Sequence, residues 1–494
     1  MMKKIIIISG VFAVLLSSAG CKKFLDQEPD NRAKLNSPAK VSQLLASAYP
    51  QINYQAMAEL SSDNVGDNVT NGIDVPSWNT LISDYYFYRD NTGVDEDGPE
   101  SYWFGCYKAI AAANLALETI ASVPDPQNYQ AQKGEALVAR AYAHFMLVNF
   151  FSKFYDESTA SSDKGIPYVT ESETVSIKKY QRKTVKYVYD MVEKDLLEGL
   201  PLIKDETYSV PKYHFTKSSA AAFASRFYLY KQDYENVIKY AKAALPENSY
   251  ATNLRPWNTI YTNLPLNGNG SLSAIYSKAT ENANLLLVET NTWWLNLAAF
   301  GKYGLTGELG AYFTGDAPVA GGPWSYRLSY FMEGHNVIPK TDQNFVETSL
   351  GSGIGNGWQM VPLFTAEEVL FNLAEAYVYT DQNSKAISLL NTYLTTRIDG
   401  YDPALDVIDE TKVKDYYGVT DASEGLIYTI LDYRQSEFVH EGMRWFDILR
   451  YGIEVTHANI DGSDEITLTV DHPHRVFQIP ATARAQAGLE ANRR

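Results

Sequence analysis

The chain has 494 residues, of which 45% are hydrophobic and 20% are charged, and its formal net charge is −17. This length and apolar content are sufficient to bury a large core, although length alone does not fix the number of domains. The strong negative charge repels polyanions and therefore argues against nucleic acid as a ligand.

The first twenty-one residues have the pattern of a bacterial lipoprotein signal. Lys3 and Lys4 precede an apolar stretch over 5–16, and the small residues at 18–20 come directly before Cys21. The apolar stretch is short for a membrane-spanning helix, which needs ~20 residues. We therefore predict a signal peptide over 1–20, lipidation at Cys21 and a lipidated tether over 21–40. Cys106, the other cysteine, lies in an apolar helical pattern and is predicted to be a small buried residue.

Residues 41–494 are predicted to form a single, mostly α-helical body. Between 135 and 151, apolar residues recur at steps of four, four and three, which indicates one face of a helix (Leu137, Ala141, Phe145 and Val148). Segments 224–238 and 373–387 resemble each other without a gap, since each has two tyrosines, a polar three-residue turn and a second helix. This pattern is typical of tetratricopeptide-like helical hairpins, which usually form a scaffold.

Two long loop-rich insertions, over about 63–100 and 250–360, interrupt the predicted scaffold. The second contains 14 of the 31 glycines and five of the eight tryptophans (Trp257, Trp293, Trp294, Trp324 and Trp358). Disordered segments are poor in aromatic residues, so we expect ordered loops that present large rings.

Flat aromatic rings beside polar side chains are suited to binding sugars. The ring covers the C–H face of the sugar, and the polar groups pair with its hydroxyls. Sets of this kind occur in both insertions, and we predict six ligand-binding residues (Trp78, Tyr86, Arg89, Trp293, Trp294 and Trp324).

The sequence gives no support for catalysis. Glu437 and Glu441 are one helical turn apart, but an adjacent guanidinium, such as that of Arg434 or Arg444, lowers a carboxyl pKa, whereas a general acid needs a raised one. Paired glycosidase carboxylates also face each other from opposite sides of the sugar. We predict a structural ion-pair network here and no catalytic residues.

Metal and cofactor patterns are incomplete. His440-Glu441 begins an H-E-x-x-H motif, but Arg444 occupies the position of the second histidine. The acidic stretch 95–98 has oxygen ligands of the kind that hold calcium, but a solvated turn is the preferred prediction and calcium binding is the alternative. The alternating glycines over 351–357 lack phosphate-binding spacing and are predicted to form a flexible loop. We therefore predict no cofactor and no metal.

Several motifs, taken in chain order, resemble the SusD/RagB family of outer-membrane lipoproteins from glycan-foraging bacteria. They lie at 21–26, 103–114, 140–141, 165–167, 216–220, 374–376 and 479–480, together with Asn391 and Arg397. The most specific stretch comprises Arg434, Glu437-Phe438, Glu441-Gly442, Arg444-Trp445-Phe446-Asp447 and Arg450. Trp103 and Trp445 fall within these helical motifs and are assigned to the core.

The resemblance implies a helical body built on tetratricopeptide-like units. It also implies a SusC-like TonB-dependent transporter as partner, and a lipid-anchored position on the outer membrane, facing the cell exterior. We therefore expect a cell-surface oligosaccharide-binding lipoprotein that delivers nutrient to this transporter and is not an enzyme. Peptide capture by the same import architecture is the alternative, and the tryptophan-rich insertions favour sugar over it.

Overall fold

The computed structural model describes residues 35–68, 75–172, 178–268, 270–332 and 334–494. The predicted signal peptide, Cys21 and most of the predicted tether lie outside these residues. Within the described ranges, no helix combines the length and the apolar character that crossing a membrane requires. The fold is mostly α-helical, as predicted.

Helices make up the scaffold of the described chain. In chain order they are α1 (Pro38–Leu45), α2 (Gln55–Leu60), α3 (Pro76–Tyr86), α4 (Pro99–Ser122), α5 (Gln130–Phe151), α6 (Val185–Gly199), α7 (Lys217–Tyr230), α8 (Tyr234–Ala244), α9 (Tyr250–Asn253), α10 (Leu272–Tyr276), α11 (Trp294–Phe300), α12 (Gly307–Thr314), α13 (Ala366–Tyr379), α14 (Asn383–Leu394), α15 (Glu410–Tyr417), α16 (Ala422–Glu437), α17 (Met443–Tyr451) and α18 (Ala481–Ala487).

Helix α5 occupies the centre of the N-terminal half, packed between α4 and α6. It confirms the helix predicted over 135–151, and nearly all of its residues are buried rather than one face only. The polar side chains of α5 are buried together with partners, for example Arg140, which pairs with Asp195 at 2.7 Å. Cys106 and Trp103 on α4 are buried, as predicted, and Trp445 on α17 is fully buried.

The two predicted hairpins are α7–α8 and α13–α14, and they pack against each other through α8 and α13. Their turns match in detail, because Gln232 and Asp381 both adopt left-handed backbone conformations, with φ of 62° and 57°. Helices α7 and α13 also begin alike. Thr216 Oγ1 accepts the Ser219 N–H at 3.1 Å, and Thr365 Oγ1 accepts the Glu368 N–H at 3.3 Å.

The strands lie mostly in the second predicted insertion. They are β1 (Gly66–Asp67), β2 (Asn284–Asn291), β3 (Tyr303–Gly304), β4 (Ser329–Met332), β5 (His335–Val337), β6 (Gln343–Glu347), β7 (Gly355–Thr365), β8 (Val455–Ala458) and β9 (Glu465–Leu468). Among the described residues, β2, β7 and β6 form one antiparallel sheet in that order, and the other strands pair two by two.

The glycine-rich stretch 351–357 is only partly the flexible loop that its composition predicts. Gly351 and Gly353 lie in the turn between β6 and β7 with positive φ, whereas Gly355 and Gly357 belong to strand β7. The prediction is wrong for these last two, because pairing with β6 holds them in an extended strand.

Candidate ligand-binding site

Two of the predicted ligand-binding tryptophans belong to the core. Trp294 is 2% exposed, and its indole N–H donates to the carbonyl oxygen of His440 at 3.0 Å. Trp324 is 4% exposed and packs edge-on against Tyr433, with 5.4 Å between ring centroids. A ring needs an open face to receive a sugar, so the prediction is wrong for Trp294 and Trp324. Large aromatic side chains are often mostly buried, and burial accounts for both.

Tyr86 is also buried. Its ring stacks at 3.9 Å on Tyr303 and at 4.1 Å on His457, measured between centroids. Its hydroxyl donates to the carbonyl oxygen of Ala458 at 3.0 Å, and burial raises the pKa of Tyr86 to about 12. Because both faces of the ring are covered, the ligand-binding prediction is wrong for Tyr86 as well.

Arg89 is exposed, but it does not share a site with the other predicted residues. Its guanidinium lies 5.0 Å above the ring of Phe87 and lines a cleft of about 310 Å³ that includes His472 and His474. Arg89 follows the C-terminal end of α3, whereas Trp78 lies in the first turn of that helix. Eleven helical residues span about 16 Å, so the two side chains are far apart.

Trp78 and Trp293 are the predicted tryptophans that are only partly buried, and a third ring joins them. Both tryptophans are half-buried, and their ring centroids are 6.0 Å apart with a tilt of 42°. Phe345, which is 50% exposed, lies 6.1 Å from Trp293 with a tilt of 38°. We call Trp78, Trp293 and Phe345 the aromatic platform. Its rings come from α3, from the residue before α11, and from β6.

Asp97 fixes the backbone that carries Trp293. One carboxylate oxygen accepts the Thr292 hydroxyl at 2.5 Å, and the other accepts the Trp293 N–H at 2.7 Å. Burial raises the pKa of Asp97 to about 7, although these two hydrogen bonds act to lower it. The prediction of a solvated acidic turn over 95–98 is wrong at Asp97, which is only 3% exposed.

Gly357 lets strand β7 pass close to Trp293. A Cβ atom at this position would lie 3.2 Å from Cδ2 of Trp293 and 2.4 Å from the carbonyl oxygen of Thr292. Gly357 pairs directly with Phe345 across β6 and β7, and directly paired residues share a face of the sheet. Phe345 and Trp293 therefore belong to the same face.

The carboxylates considered for catalysis are locked in buried ion pairs. Arg397 donates to both oxygens of Glu437, at 2.7 and 3.0 Å. Burial alone would raise the pKa of Glu437, but Arg397 lowers it to about 2. Glu441 accepts from Lys340 Nζ at 2.9 Å and from the Tyr276 hydroxyl at 2.7 Å. Glu437 is therefore held in its charged form, whereas a general acid needs a raised pKa.

The predicted ion-pair network is confirmed, but Arg434 and Arg444 do not pair with the neighbouring Glu437 and Glu441. Arg434 pairs with Asp447 at 2.9 Å, and Arg444 pairs with Asp63 at 2.8 Å. Within the described ranges, no group of three or more His, Cys, Asp or Glu is placed to hold a metal ion.

Phe345, Asp97 and Gly357 are parts of the site that the sequence pattern does not reveal. Phe345 stands in the short run Gln343–Glu347, whose exposed side chains give no alternating apolar pattern. Asp97 lies in a stretch predicted to be a solvated turn, and Gly357 lies in one predicted to be a flexible loop. The tryptophan pair at 293–294, by contrast, is visible in the sequence, and it lies in the segment that contains the site.

Family comparisons match two long parts of the chain. A model described as starch-binding and associating with the outer membrane matches residues 23–229, and a model of the SusD family matches residues 327–487. Trp78 falls in the first match and Phe345 in the second. Trp293 lies between them, in the part that neither model covers.

Individual relatives cover nearly the whole chain. A SusD-like protein from Formosa agariphila is 24% identical over 510 residues, covering 91% of this chain and 92% of the relative. A SusD superfamily structure from Bacteroides fragilis has a TM-score of 0.68 at 18% identity, covering 92% of this chain and 99% of that chain. A laminarin-binding SusD-like protein has a TM-score of 0.62 at 17% identity, and the match covers 92% of this chain and 98% of that protein. At these identities the solved structures establish a shared fold.

Proposed function

Because this chain belongs to the SusD/RagB family, we propose that it is a cell-surface carbohydrate-binding lipoprotein whose site is the aromatic platform. The observation that carries the proposal is the adjacent, half-buried pair Trp78 and Trp293, extended by the half-exposed Phe345. A sugar ring can lie against such a surface through its C–H face while its hydroxyls remain hydrogen-bonded to water or to protein.

The protein binds the glycan without cleaving it. The residues around the platform supply apolar surface and backbone positioning, and the paired carboxylates Glu437 and Glu441 are buried in ion pairs. The proposed role is therefore capture and release of an unchanged ligand.

Delivery to a SusC-like TonB-dependent transporter is the second part of the proposal. It is supported by family membership, by a family description that places such proteins at the outer membrane, and by the predicted lipoprotein signal over 1–20, directly before Cys21. A lipid anchor would keep the captured glycan beside the transporter and would raise its local concentration there.

Peptide binding remains a second candidate because of one feature. Within the described sheet, β6 is an edge strand, and most of its residues are exposed. An extended peptide can add to such an edge through main-chain hydrogen bonds. The half-buried tryptophans beside it favour sugar, which needs ring surface more than a strand edge.

Glycan and peptide arrays probed with the mature protein test the proposal. We expect neutral glycans to be retained and Trp293→Ala to weaken retention about fivefold or more, since a stacked ring contributes on the order of 1 kcal/mol. Tyr416→Ala, which removes a 57% exposed ring on α15, is the matched control and should bind normally. Retention of peptides alone, or equal glycan binding by Trp293→Ala, would contradict the proposal.

A further inference from the structure

Helix α11 extends the aromatic platform in one direction. Trp293, Asn296 and Phe300 are half-buried and lie three and four residues apart, which places them on one face of the helix. Trp294 and Leu297, by contrast, are buried. An open strip therefore leads from the platform along the helix to Phe300.

A second pair of rings lies at the far end of this strip. Phe331, which is 40% exposed, packs edge-to-face on Phe300 with 5.5 Å between centroids and an interplanar angle of 82°. We call Phe300 and Phe331 the far patch. Seven helical residues rise about 10 Å, so the far patch and Trp293 are separated by roughly that distance.

Asn296 lies between the two groups of rings. Its side-chain amide has no hydrogen-bond partner among the residues that the structure describes, and it is half-buried. An amide offers two donors and two acceptor lone pairs, which suit hydroxyl groups. Aromatic surface at both ends with an amide between them is the arrangement that an extended sugar chain requires.

The strip carries no charged side chain of its own. Its six members are three from the platform (Trp78, Trp293 and Phe345) and three from α11 and β4 (Asn296, Phe300 and Phe331). No cation is therefore positioned by these residues to neutralise a sulfate or carboxylate, and the net charge of −17 repels anions.

We propose that the ligand is an extended, neutral oligosaccharide that lies along α11 and contacts both the aromatic platform and the far patch. This inference rests on the proposed carbohydrate-binding function and adds the length and charge of the ligand. A chain that reaches both ring groups gains the second contact as an intramolecular step, so its affinity rises with length.

Isothermal titration of the mature protein with laminarin oligosaccharides and malto-oligosaccharides, from the disaccharide to the octasaccharide, tests this inference. We expect the longer chains of the recognised series to bind about tenfold more tightly than its disaccharide, as two linked subsites predict. Phe331→Ala should remove most of this gain, so that its affinity for the longer chains falls close to its affinity for the disaccharide. Trp293→Ala should weaken both lengths.

Tyr330→Ala is the matched control. Tyr330 is adjacent to Phe331 on β4 and 75% exposed, and within the described residues its ring, unlike that of Phe331, makes no contact with Phe300. It should bind every chain length as the wild type does. Asn296→Ala is a second variant that does not disturb the ring pair, and it should weaken only the longer chains, by about fivefold.

The outcomes separate the two proposals. Glycan binding that depends on Trp293 but not on chain length or on Phe331 would overturn the two-ended strip and leave the proposed function standing. Tighter binding of sulfated or uronate chains than of neutral ones on a glycan array would overturn the neutral assignment. If no glycan on that array binds the wild type, both proposals fail together.

Discussion

Asp97 holds Trp293 through the main chain, with a carboxylate oxygen 2.7 Å from the Trp293 nitrogen, while the indole ring packs beside Trp78 and Phe345. The carboxylate reaches across 195 residues of sequence to the end of β2, where its other oxygen binds Thr292. The ring that we place at the centre of the site is therefore positioned by a buried acid on a different element, directly before α4.

Asp97 gives a pH-dependent prediction. Its pKa is about 7 in the folded protein, against about 3.9 when unfolded, so the stability it contributes is fully present below pH ~4 and is lost as pH rises towards 7. Thermal unfolding of wild type and Asp97→Asn should therefore show the variant gaining relative stability across this range. A difference that stays constant with pH would contradict this.

The neighbouring tryptophans should behave in opposite ways. Trp294→Ala should lower the free energy of unfolding by about 3–5 kcal/mol, because it empties a buried site. Trp293→Ala should weaken glycan retention in affinity gels and change the unfolding free energy by less than about 1.5 kcal/mol. A large loss of stability in Trp293→Ala would place that ring in the core.

Gly357 should tolerate no side chain. Gly357→Val should displace Trp293 and weaken glycan binding, because its Cβ would collide with the Thr292 carbonyl oxygen. Gly307→Ala is the control, since a Cβ there meets nothing within 4 Å. Titration with a bound oligosaccharide measures both variants, and equal affinity in Gly357→Val would show that this close approach is unimportant.

The buried acid Glu437 should matter for stability alone. Glu437→Gln leaves Arg397 without its bidentate carboxylate. It should lower the free energy of unfolding, measured by chemical denaturation, by about 3–5 kcal/mol. Because the folded pKa of Glu437 is about 2, this contribution is present above the unfolded pKa and is lost as pH falls towards 2. Glu235→Gln, at an exposed position on α8, should be neutral. Equal stability of the two variants would contradict the ion-pair account.

The anchor prediction concerns Cys21. Cys21→Ala should remove the protein from the membrane fraction after cell lysis, because the thiol that would carry the lipid is gone. Immunoblots of membrane and soluble fractions measure this, and wild-type retention in the membrane would contradict lipidation at Cys21.

The scaffold was predictable from local pattern. Apolar periodicity located α5, and two tyrosines followed by a polar three-residue turn located both hairpins. These features depend on residues close in sequence, which is where periodicity and turn chemistry act.

The site was predictable only in part, because it depends on contacts between distant residues. Trp293 and Trp294 are identical neighbours, yet one is half-buried and the other is 2% exposed. The start of a seven-residue helix decides which ring turns inward, and so short an element has little periodicity to detect. The partnership of Arg397 with Glu437 likewise spans 40 residues.

The most direct test of the central claim is a crystal structure of the protein with the neutral oligosaccharide that an array shows it to bind. We predict that one sugar ring lies flat against Trp293, with carbon atoms about 4 Å from the indole, and that the chain continues towards Phe300. A sugar bound elsewhere, for instance in the cleft beside Arg89, with Trp293 untouched, would contradict the account.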